Sequence, residues 1–337
     1  MRVAFCCDAG PAIGIGHVMR CLALAEELAA RGATPVFVAD LAGVPWARAQ
    51  VERRGFAVVA PETTYVDGVL ACAPSAVVLD SYLLPAEVSG ELRAAGLPVL
   101  AIVDGDLRGH VADVYVDQNL GAEDDDPAVP DGAVRLAGLR FAMLRSEVIG
   151  AGPASPDASG ETGTPRVLAF FGGTDAFGAA PVLVRALAAA GRPFDATVVA
   201  SRDDLVRRVG EVPLAAGQQV EVIAPTDRIA ALVVGADLVL AASGTSIWEL
   251  LCLGAAAALV RVADNQVVGY DRTVATGAVA GLGALADVDA DPSAAARTLT
   301  RLLTDRDERA ALRRKGRDLV DGRGRTRVAD TLLALLP

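Results

Sequence analysis

Residues 2–28 read R-V-A-F-C-C-D-A-G-P-A-I-G-I-G-H-V-M-R-C-L-A-L-A-E-E-L. An apolar run typical of a buried strand is followed by Asp8, a loop and a helix-like apolar pattern. Gly14 and Gly16 let backbone approach a ligand closely, and a helix start offers free N–H groups to an anion. His17 stands at that start, where a histidine can take or deliver a proton near neutral pH. The alternative is a surface histidine beside a helix start.

The composition is typical of a globular α/β protein. Its 337 residues predict about two domains, and 53% of them are hydrophobic while 22% are charged. The apolar residues are mainly Ala, Val and Leu, which suits buried parallel strands covered by helices. A net charge of −11 argues against nucleic-acid and anionic membrane partners. A nucleotide ligand stays possible, because backbone N–H groups bind phosphate without a basic surface.

The sequence also bears on where the protein is located and on whether it binds a metal. The strand-like start has no signal peptide ahead of it, and no run approaches the roughly 18 apolar residues that span a bilayer. Five cysteines, two of them adjacent, form neither a disulfide framework nor a zinc motif. We therefore expect a soluble cytoplasmic protein. The run Asp124–Asp126 lies in a polar loop and is interpreted as a solvated acidic turn, so no metal is expected.

The chain is predicted to form two Rossmann-like α/β domains that face each other across a cleft. Residues 150–165 are dense in Gly, Pro and Ser and are interpreted as a linker between domains 1–149 and 166–322. The last helix, 323–337, could pack back on the first domain. Short apolar strands alternate with amphipathic helices on both sides, which predicts parallel sheets with ligands at the carboxyl edges of the strands.

The predicted elements come from that alternation. Strands are predicted at Val3–Cys7, Pro35–Ala39, Ala76–Asp80, Val99–Asp104, Val114–Asp117, Val167–Phe171, Ala196–Ser201, Val220–Ile223, Leu238–Ala241 and Ala257–Val262. Helices are predicted at His17–Arg31, Trp46–Arg54 and Pro85–Ala95, and from near Ala179, Asp203, Thr226, Ser246 and Gln266.

Three further turns carry polar groups directly after predicted strands. The sequence F-F-G-G-T-D at 170–175 has the build of a phosphate-facing turn, although a plain tight turn would look the same. Ser243–Thr245 form a second such turn, and Glu249 lies one turn into the next helix. A carboxylate there can accept both hydroxyls of a ribose or merely complement the helix dipole. Asn265 and Gln266 follow the next strand with amides suited to a sugar or phosphate.

Together these motifs resemble the glycosyltransferase-B superfamily, and within it the UDP-sugar hydrolases of pseudaminic acid biosynthesis. The resemblance extends from Arg2 to about Leu282. Its most specific element is I-G-I-G-H-V-M-R-C-L-A-L-A, followed by F-F-G-G-T-D. The segment S-G-T-S-I-W-E-L-L-C-L-G-A with the later D-N-Q is also similar to the nucleotide-binding half of the N-acetylglucosaminyltransferase that makes lipid II.

The resemblance implies a role for each site residue. His17, with Asp8, would activate water at the anomeric carbon, with inversion and with neither metal nor cofactor. UDP would be bound by the second domain, through Gly172, Gly173, Thr174, Ser243, Gly244, Thr245, Glu249, Asn265 and Gln266. The sugar side would be formed by Gly14, Gly16, Arg20, Asp80 and Tyr82.

Two departures fall on the sugar side. Cys6 and Cys7 stand where the family usually has an arginine, and Ser81 replaces a histidine in its D-H-Y segment. A nucleotide-sugar hydrolase is therefore the first hypothesis. An inverting glycosyltransferase, with an acceptor hydroxyl in place of water, is the alternative, and a silent nucleotide-sugar binder is the third.

Overall fold

The structure is a computed structural model that describes residues 1–10, 13–61, 64–154, 160, 163–173 and 175–336. The chain divides into two compact units. Unit 1 comprises Met1–Ser146 and Gly322–Pro337, and unit 2 comprises Glu147–Asp321. Part of the expected linker 150–165, namely residues 155–159, 161 and 162, lies outside the described residues, and the first crossing between the units falls a few residues before the linker. Among the described residues, no helix combines the length and apolar character needed to cross a membrane.

Unit 1 contains a parallel sheet, seven-stranded in its described part, in the order β3-β2-β1-β4-β5-β6-β7. Its strands are β1 (Arg2–Cys7), β2 (Thr34–Val38), β3 (Ala57–Val59), β4 (Ala76–Asp80), β5 (Val99–Ile102), β6 (Val114–Asp117) and β7 (Val134–Ala137). The strand order reverses between β1 and β4, and open α/β sheets bind ligands at the carboxyl edge of such a switch point.

Helices cover both faces of this sheet, because parallel strands need crossover connections. They are α1 (Gly16–Ala30), α2 (Pro45–Arg53), α3 (Tyr65–Ala71) and α4 (Ala86–Ala94), with α5 (Ser146–Ala151) at the junction and the final helix α14 (Gly324–Leu333). Helix α14 packs on α1, and its Val328, Ala329 and Leu332 are buried in the same core as β1. Gly324 allows this packing, because a Cβ there would lie 2.2 Å from the carbonyl oxygen of Ala142.

Unit 2 repeats the arrangement with a parallel sheet, six-stranded in its described part, in the order β10-β9-β8-β11-β12-β13. Its strands are β8 (Arg166–Phe170), β9 (Phe194–Val199), β10 (Gln218–Ile223), β11 (Leu238–Ala242), β12 (Ala257–Arg261) and β13 (Ala280–Ala284). Its helices are α6 (Ala179–Ala189), α7 (Asp203–Gly210), α8 (Ile229–Val234), α9 (Ser246–Leu253), α10 (Val267–Ala275), α11 (Leu285–Ala290), α12 (Ser293–Thr304) and α13 (Arg306–Leu319). The switch point of this sheet lies between β8 and β11.

The prediction of two parallel α/β domains is confirmed, and its errors concern the ends of some elements and several elements that were not predicted. The strand predicted at Val99–Asp104 ends at Ile102, because Gly105 adopts a left-handed φ of 79° and turns the chain. The helix expected from Thr226 begins at Ile229, since the Thr226 hydroxyl accepts the N–H of Arg228 in a turn. Eight helices and strands were not predicted, namely β3, β7, β13, α3, α5, α11, α12 and α13.

Candidate functional site

Asp8 follows β1 at the switch point of unit 1 and is buried. Its Oδ1 accepts a hydrogen bond from Ser81 Oγ at 2.7 Å. Its Oδ2 accepts the backbone N–H groups of Tyr82 at 2.5 Å and Leu83 at 3.1 Å. Both carboxylate oxygens therefore hold the turn that follows β4, and Ser81 takes part in that turn.

Arg20 lies on α1 between two carboxylates that follow neighbouring strands. Its Nε and Nη2 donate to Asp80 at 2.6 and 2.7 Å. Its Nη1 and Nη2 donate to Asp104 at 2.8 and 3.0 Å. Burial alone would raise the pKa of Asp104, but the Arg20 charge and the hydrogen bonds lower that pKa well below its usual range. Arg20 thus joins the carboxyl ends of β4 and β5 through charge-assisted hydrogen bonds.

Tyr82 connects this ion-pair network to His17. The Tyr82 hydroxyl donates to Asp104 Oδ2 at 2.5 Å, and its ring meets the His17 ring at 4.4 Å and 78°. Burial and the nearby Asp104 carboxylate raise the pKa of Tyr82, so its phenol keeps the proton that it donates. The opening strand, α1 and the turn after β4 thereby bring together all the predicted side chains of this unit's site.

His17 is the second residue of α1 and is only 7% exposed. Its Nδ1 is buried and has no hydrogen-bond partner among the described residues. The helix starts without a side-chain cap at Ile15. The preceding loop is closed by two backbone hydrogen bonds between Gly10 and Gly14, and Gly14 has a left-handed φ of 84°. An unpaired buried imidazole nitrogen beside an uncapped helix start can receive a polar ligand.

In unit 2 the predicted turns follow strands that are neighbours in the sheet. Gly172 and Gly173 follow β8, Ser243 follows β11, and Asn265 follows β12. The carboxyl ends of parallel strands meet at one edge, so these turns share the edge that includes the switch point between β8 and β11. The described turns of unit 2 therefore lie at the sheet edge where open α/β sheets bind ligands.

The turn after β8 differs from the expected phosphate-facing helix start. Gly172 adopts a left-handed φ of 82° that favours glycine, whereas Thr174 lies outside the described residues. The Asp175 carboxylate accepts the N–H groups of Ala179 and Ala180 at 2.8 and 2.9 Å. It thereby occupies the start of α6. Burial raises the pKa of Asp175, although these two hydrogen bonds act in the opposite direction.

The turn after β11 contains a buried hydroxyl, that of Ser243. The Ser243 Oγ has no hydrogen-bond partner among the described residues. Gly244 and Thr245 lead into α9, which starts without a side-chain cap. Glu249 lies half-buried in the first turn of that helix. This helix start, unlike that of α6, is not capped by a side chain.

The amides after β12 differ from each other. Asn265 is exposed in a 3-10 turn. The side-chain carbonyl of Gln266 instead accepts the N–H of Val262 at 2.9 Å, which closes the turn. Of the two, Asn265 is the residue whose side chain faces solvent.

Unit 2 also has a groove away from these turns. The groove has a volume of about 450 Å³ and runs over β8, β9 and β10 beside α8, and Arg166, Asp195 and Glu221 line it. Arg166 and Asp195 stand near the amino ends of their strands, away from the polar turns. Within the described residues, no group of three or more His, Cys, Asp or Glu side chains could hold a metal ion.

Sequence reasoning overlooked Asp104, Asp117 and Asn119 as members of the unit 1 site. Asn119 Nδ2 donates to Asp104 at 2.9 Å and to Asp117 at 2.9 Å. Asp117 also accepts the N–H of Gly105 at 2.7 Å. The available signal was an acidic residue at the end of each apolar strand, because such residues meet at one edge of a parallel sheet.

Comparison with known proteins identifies the fold. No family model matches the chain, and no curated protein matches its sequence. Among solved structures, it is similar to MurG of Acinetobacter baumannii, with a TM-score of 0.74 and 16% identity over 99% of this chain and 100% of that one. It is also similar to the spinosyn rhamnosyltransferase SpnG complexed with thymidine diphosphate (TM-score 0.68, 16% identity, 98% and 100% covered). The chain is similar as well to the calicheamicin glycosyltransferase CalG4, with a TM-score of 0.64 and 18% identity over 99% of this chain and 97% of that one. Both units therefore have the α/β architecture of the glycosyltransferase-B fold.

Proposed function

We propose that the protein binds a nucleotide sugar and cleaves the bond between the anomeric carbon and the diphosphate oxygen. The observation that carries the proposal is the set of polar turns after the neighbouring strands β8, β11 and β12. A nucleotide needs backbone N–H groups for its phosphates and a carboxylate for its ribose. Gly172 and Gly173, the turn Ser243–Thr245 and Glu249 offer these groups within unit 2.

The charge of the leaving diphosphate is stabilised at the start of α9. Its first N–H groups have no side-chain cap, and the Ser243 hydroxyl beside them has no described partner. Fixed dipoles of this kind stabilise developing negative charge without reorganisation. Helix α6 contributes less, because Asp175 already occupies its first two N–H groups. No metal takes part in this scheme.

His17 is the base. It removes the proton of the attacking hydroxyl while the oxygen forms a bond to the anomeric carbon, and the C–O bond to the diphosphate breaks. The electron pair leaves with the nucleotide, and the anomeric centre inverts. Asp8 anchors the turn after β4 rather than taking the proton, because both of its oxygens already accept hydrogen bonds. Arg20 and Asp80 likewise hold the sheet edge.

The first candidate for the attacking group is an acceptor hydroxyl, so that the reaction is glycosyl transfer. MurG and the spinosyn and calicheamicin enzymes share the fold, and one of them is complexed with a nucleoside diphosphate.

Water is the second candidate, and a specific observation favours it. The segment I-G-I-G-H-V-M-R-C-L-A-L-A around His17 resembles the UDP-sugar hydrolases of pseudaminic acid biosynthesis. In that reaction the sugar is released free, and an acceptor is not needed. The chemistry at the anomeric carbon is the same as in transfer.

The experiment is a donor panel. The purified protein is incubated with UDP-, dTDP-, GDP- and CMP-sugars, with and without hydroxyl acceptors, and free nucleotide is measured. Release that requires an acceptor supports transfer, and release in buffer alone supports hydrolysis. The proposed reaction is wrong if none of the donors binds, or if every donor binds and no nucleotide is released.

A further inference from the structure

A continuous set of contacts leads from the buried ion pairs of unit 1 to His17. Asp104 accepts two hydrogen bonds from Arg20, one from Asn119 and one from the Tyr82 hydroxyl at 2.5 Å. Asp104 itself follows β5 and is fixed between groups from α1 and from the loop after β6. Its position is therefore set from several sides, whereas Tyr82 is 40% exposed.

The Tyr82 ring contacts two further side chains. It meets the His17 ring at 4.4 Å in a T-shaped geometry, and the Arg108 guanidinium lies 3.8 Å from its centroid. T-shaped aromatic pairs and cation–π contacts both favour particular ring orientations. The hydrogen bond from the Tyr82 hydroxyl to Asp104 fixes the direction of the ring axis, and with it the position of the ring beside His17.

The orientation of His17 lacks the usual support. A histidine that acts as a base commonly donates one ring N–H to a carboxylate or carbonyl, which fixes its tautomer and direction. Here the Nδ1 atom is buried with no described partner. Ring contact with Tyr82 takes the place of that hydrogen bond.

We infer that Asp104 is a positioning residue that acts through Tyr82 on the orientation of the His17 ring. The inference rests on the proposed function in one respect, because the orientation of the His17 ring affects the reaction only if His17 is the base. Asp104 does not touch the reacting atoms. Loss of the Asp104 carboxylate should lower the rate, because displacement of a base by about 1 Å can reduce the rate by up to a hundredfold.

The test uses the full chain labelled with ¹⁵N-histidine. The sequence contains only two histidines, His17 and His110, so each ring gives separately assignable signals. In Tyr82→Phe and Asp104→Asn, we expect the His17 ring signals to shift or broaden and their NOEs to the residue 82 ring to weaken. The His110 signals should stay in place and report that unit 1 is folded.

The matched control is Asp113→Asn, which removes a carboxylate that pairs with Arg93 on the surface of the same unit. It should leave both histidines unchanged. Unchanged His17 signals in Tyr82→Phe, which loses only one oxygen atom, would overturn the inference even if Asp104→Asn unfolds. This readout does not depend on activity, so it separates failure of the inference from failure of the proposed function.

Kinetics supply the second readout once a donor is known. With Tyr82→Phe and Asp104→Asn, kcat should fall about tenfold or more while KM stays close to the wild-type value, as expected for misplacement of a catalytic group. A rise in KM with unchanged kcat would make Tyr82 a binding residue only and would contradict the positioning role.

Discussion

Arg20 and Asp80 form a bidentate ion pair with distances of 2.6 Å and 2.7 Å, and both side chains are buried. The pair joins the first helix to the carboxyl end of β4, where the strand order reverses. Asp104 extends it to β5. The positive group at this sheet edge is therefore the buried Arg20 guanidinium, which joins α1 to the carboxyl ends of β4 and β5.

Removal of the Arg20 charge should destabilise unit 1 strongly. Arg20→Met leaves two carboxylates without their partner, and breaking a buried pair in this way costs about 3–5 kcal/mol. The free energy of unfolding in urea measures the effect. Arg48→Met is the matched control, because the exposed Arg48–Glu52 pair should contribute no more than about 1 kcal/mol. Equal losses in the two variants would contradict the structural role of Arg20.

The stability contributed by Asp104 should depend on pH. Its pKa is lower in the folded protein than in the unfolded chain, because Arg20 and hydrogen bonds outweigh burial. The contribution is therefore present above the unfolded pKa of about 3.9 and is lost as pH falls below it. The difference in unfolding free energy between wild type and Asp104→Asn should be larger at pH 7 than near pH 3. A difference that grows on acidification would show the opposite sign and refute the assignment.

His17 should matter for turnover and not for nucleotide binding. We expect His17→Ala to reduce turnover at least about a hundredfold, the scale of general base catalysis. UDP or dTDP affinity, measured by calorimetry, should change little, because the proposed nucleotide groups belong to unit 2. His110→Gln alters the other histidine and should keep activity. Loss of nucleotide binding in His17→Ala would contradict the proposal that unit 2 binds the nucleotide and that His17 acts only as the base.

Glu249 should determine nucleotide affinity. A carboxylate that accepts two ribose hydroxyls makes charge-assisted hydrogen bonds, each of about 1.5–3 kcal/mol. Dissociation constants should rise from wild type to Glu249→Gln to Glu249→Ala, the last by about tenfold to a hundredfold. Asp203→Ala is the matched control, since Asp203 lies in the first turn of α7. If Glu249→Ala lowers the melting temperature without changing affinity, the residue only complements the helix dipole.

The sequence predicts the sheets well because long apolar strands and periodic helices carry strong local signals. The short strands β3 and β7 were not predicted, since three or four residues hold too little pattern to stand out from loops. The strand β13 was missed for a related reason, because its A-G-L-G-A sequence contains two glycines that weaken a strand signal.

The sequence shows which residues lie together where one motif covers a whole turn, but it does not show which residues meet where contacts join distant segments. Gly14, Gly16 and His17 belong to one local pattern, so their common location could be read directly. The partners of Arg20 are 60 and 84 residues away in sequence, and only the strand order β1-β4-β5 brings them together. The sequence also did not predict that Asp175 caps α6, because a carboxylate that follows two glycines fits a ligand site equally well.

In the proposed reaction the bond between the anomeric carbon and oxygen breaks, whichever hydroxyl attacks. A nucleotide sugar that carries ¹⁸O in the bridge between the anomeric carbon and the phosphorus tests it directly. After reaction, mass spectrometry of the products should find the label in the released nucleotide, because C–O cleavage leaves the bridging oxygen on phosphate. Label retained by the sugar or a sugar phosphate would mean that a phosphorus–oxygen bond breaks instead, and it would contradict the account.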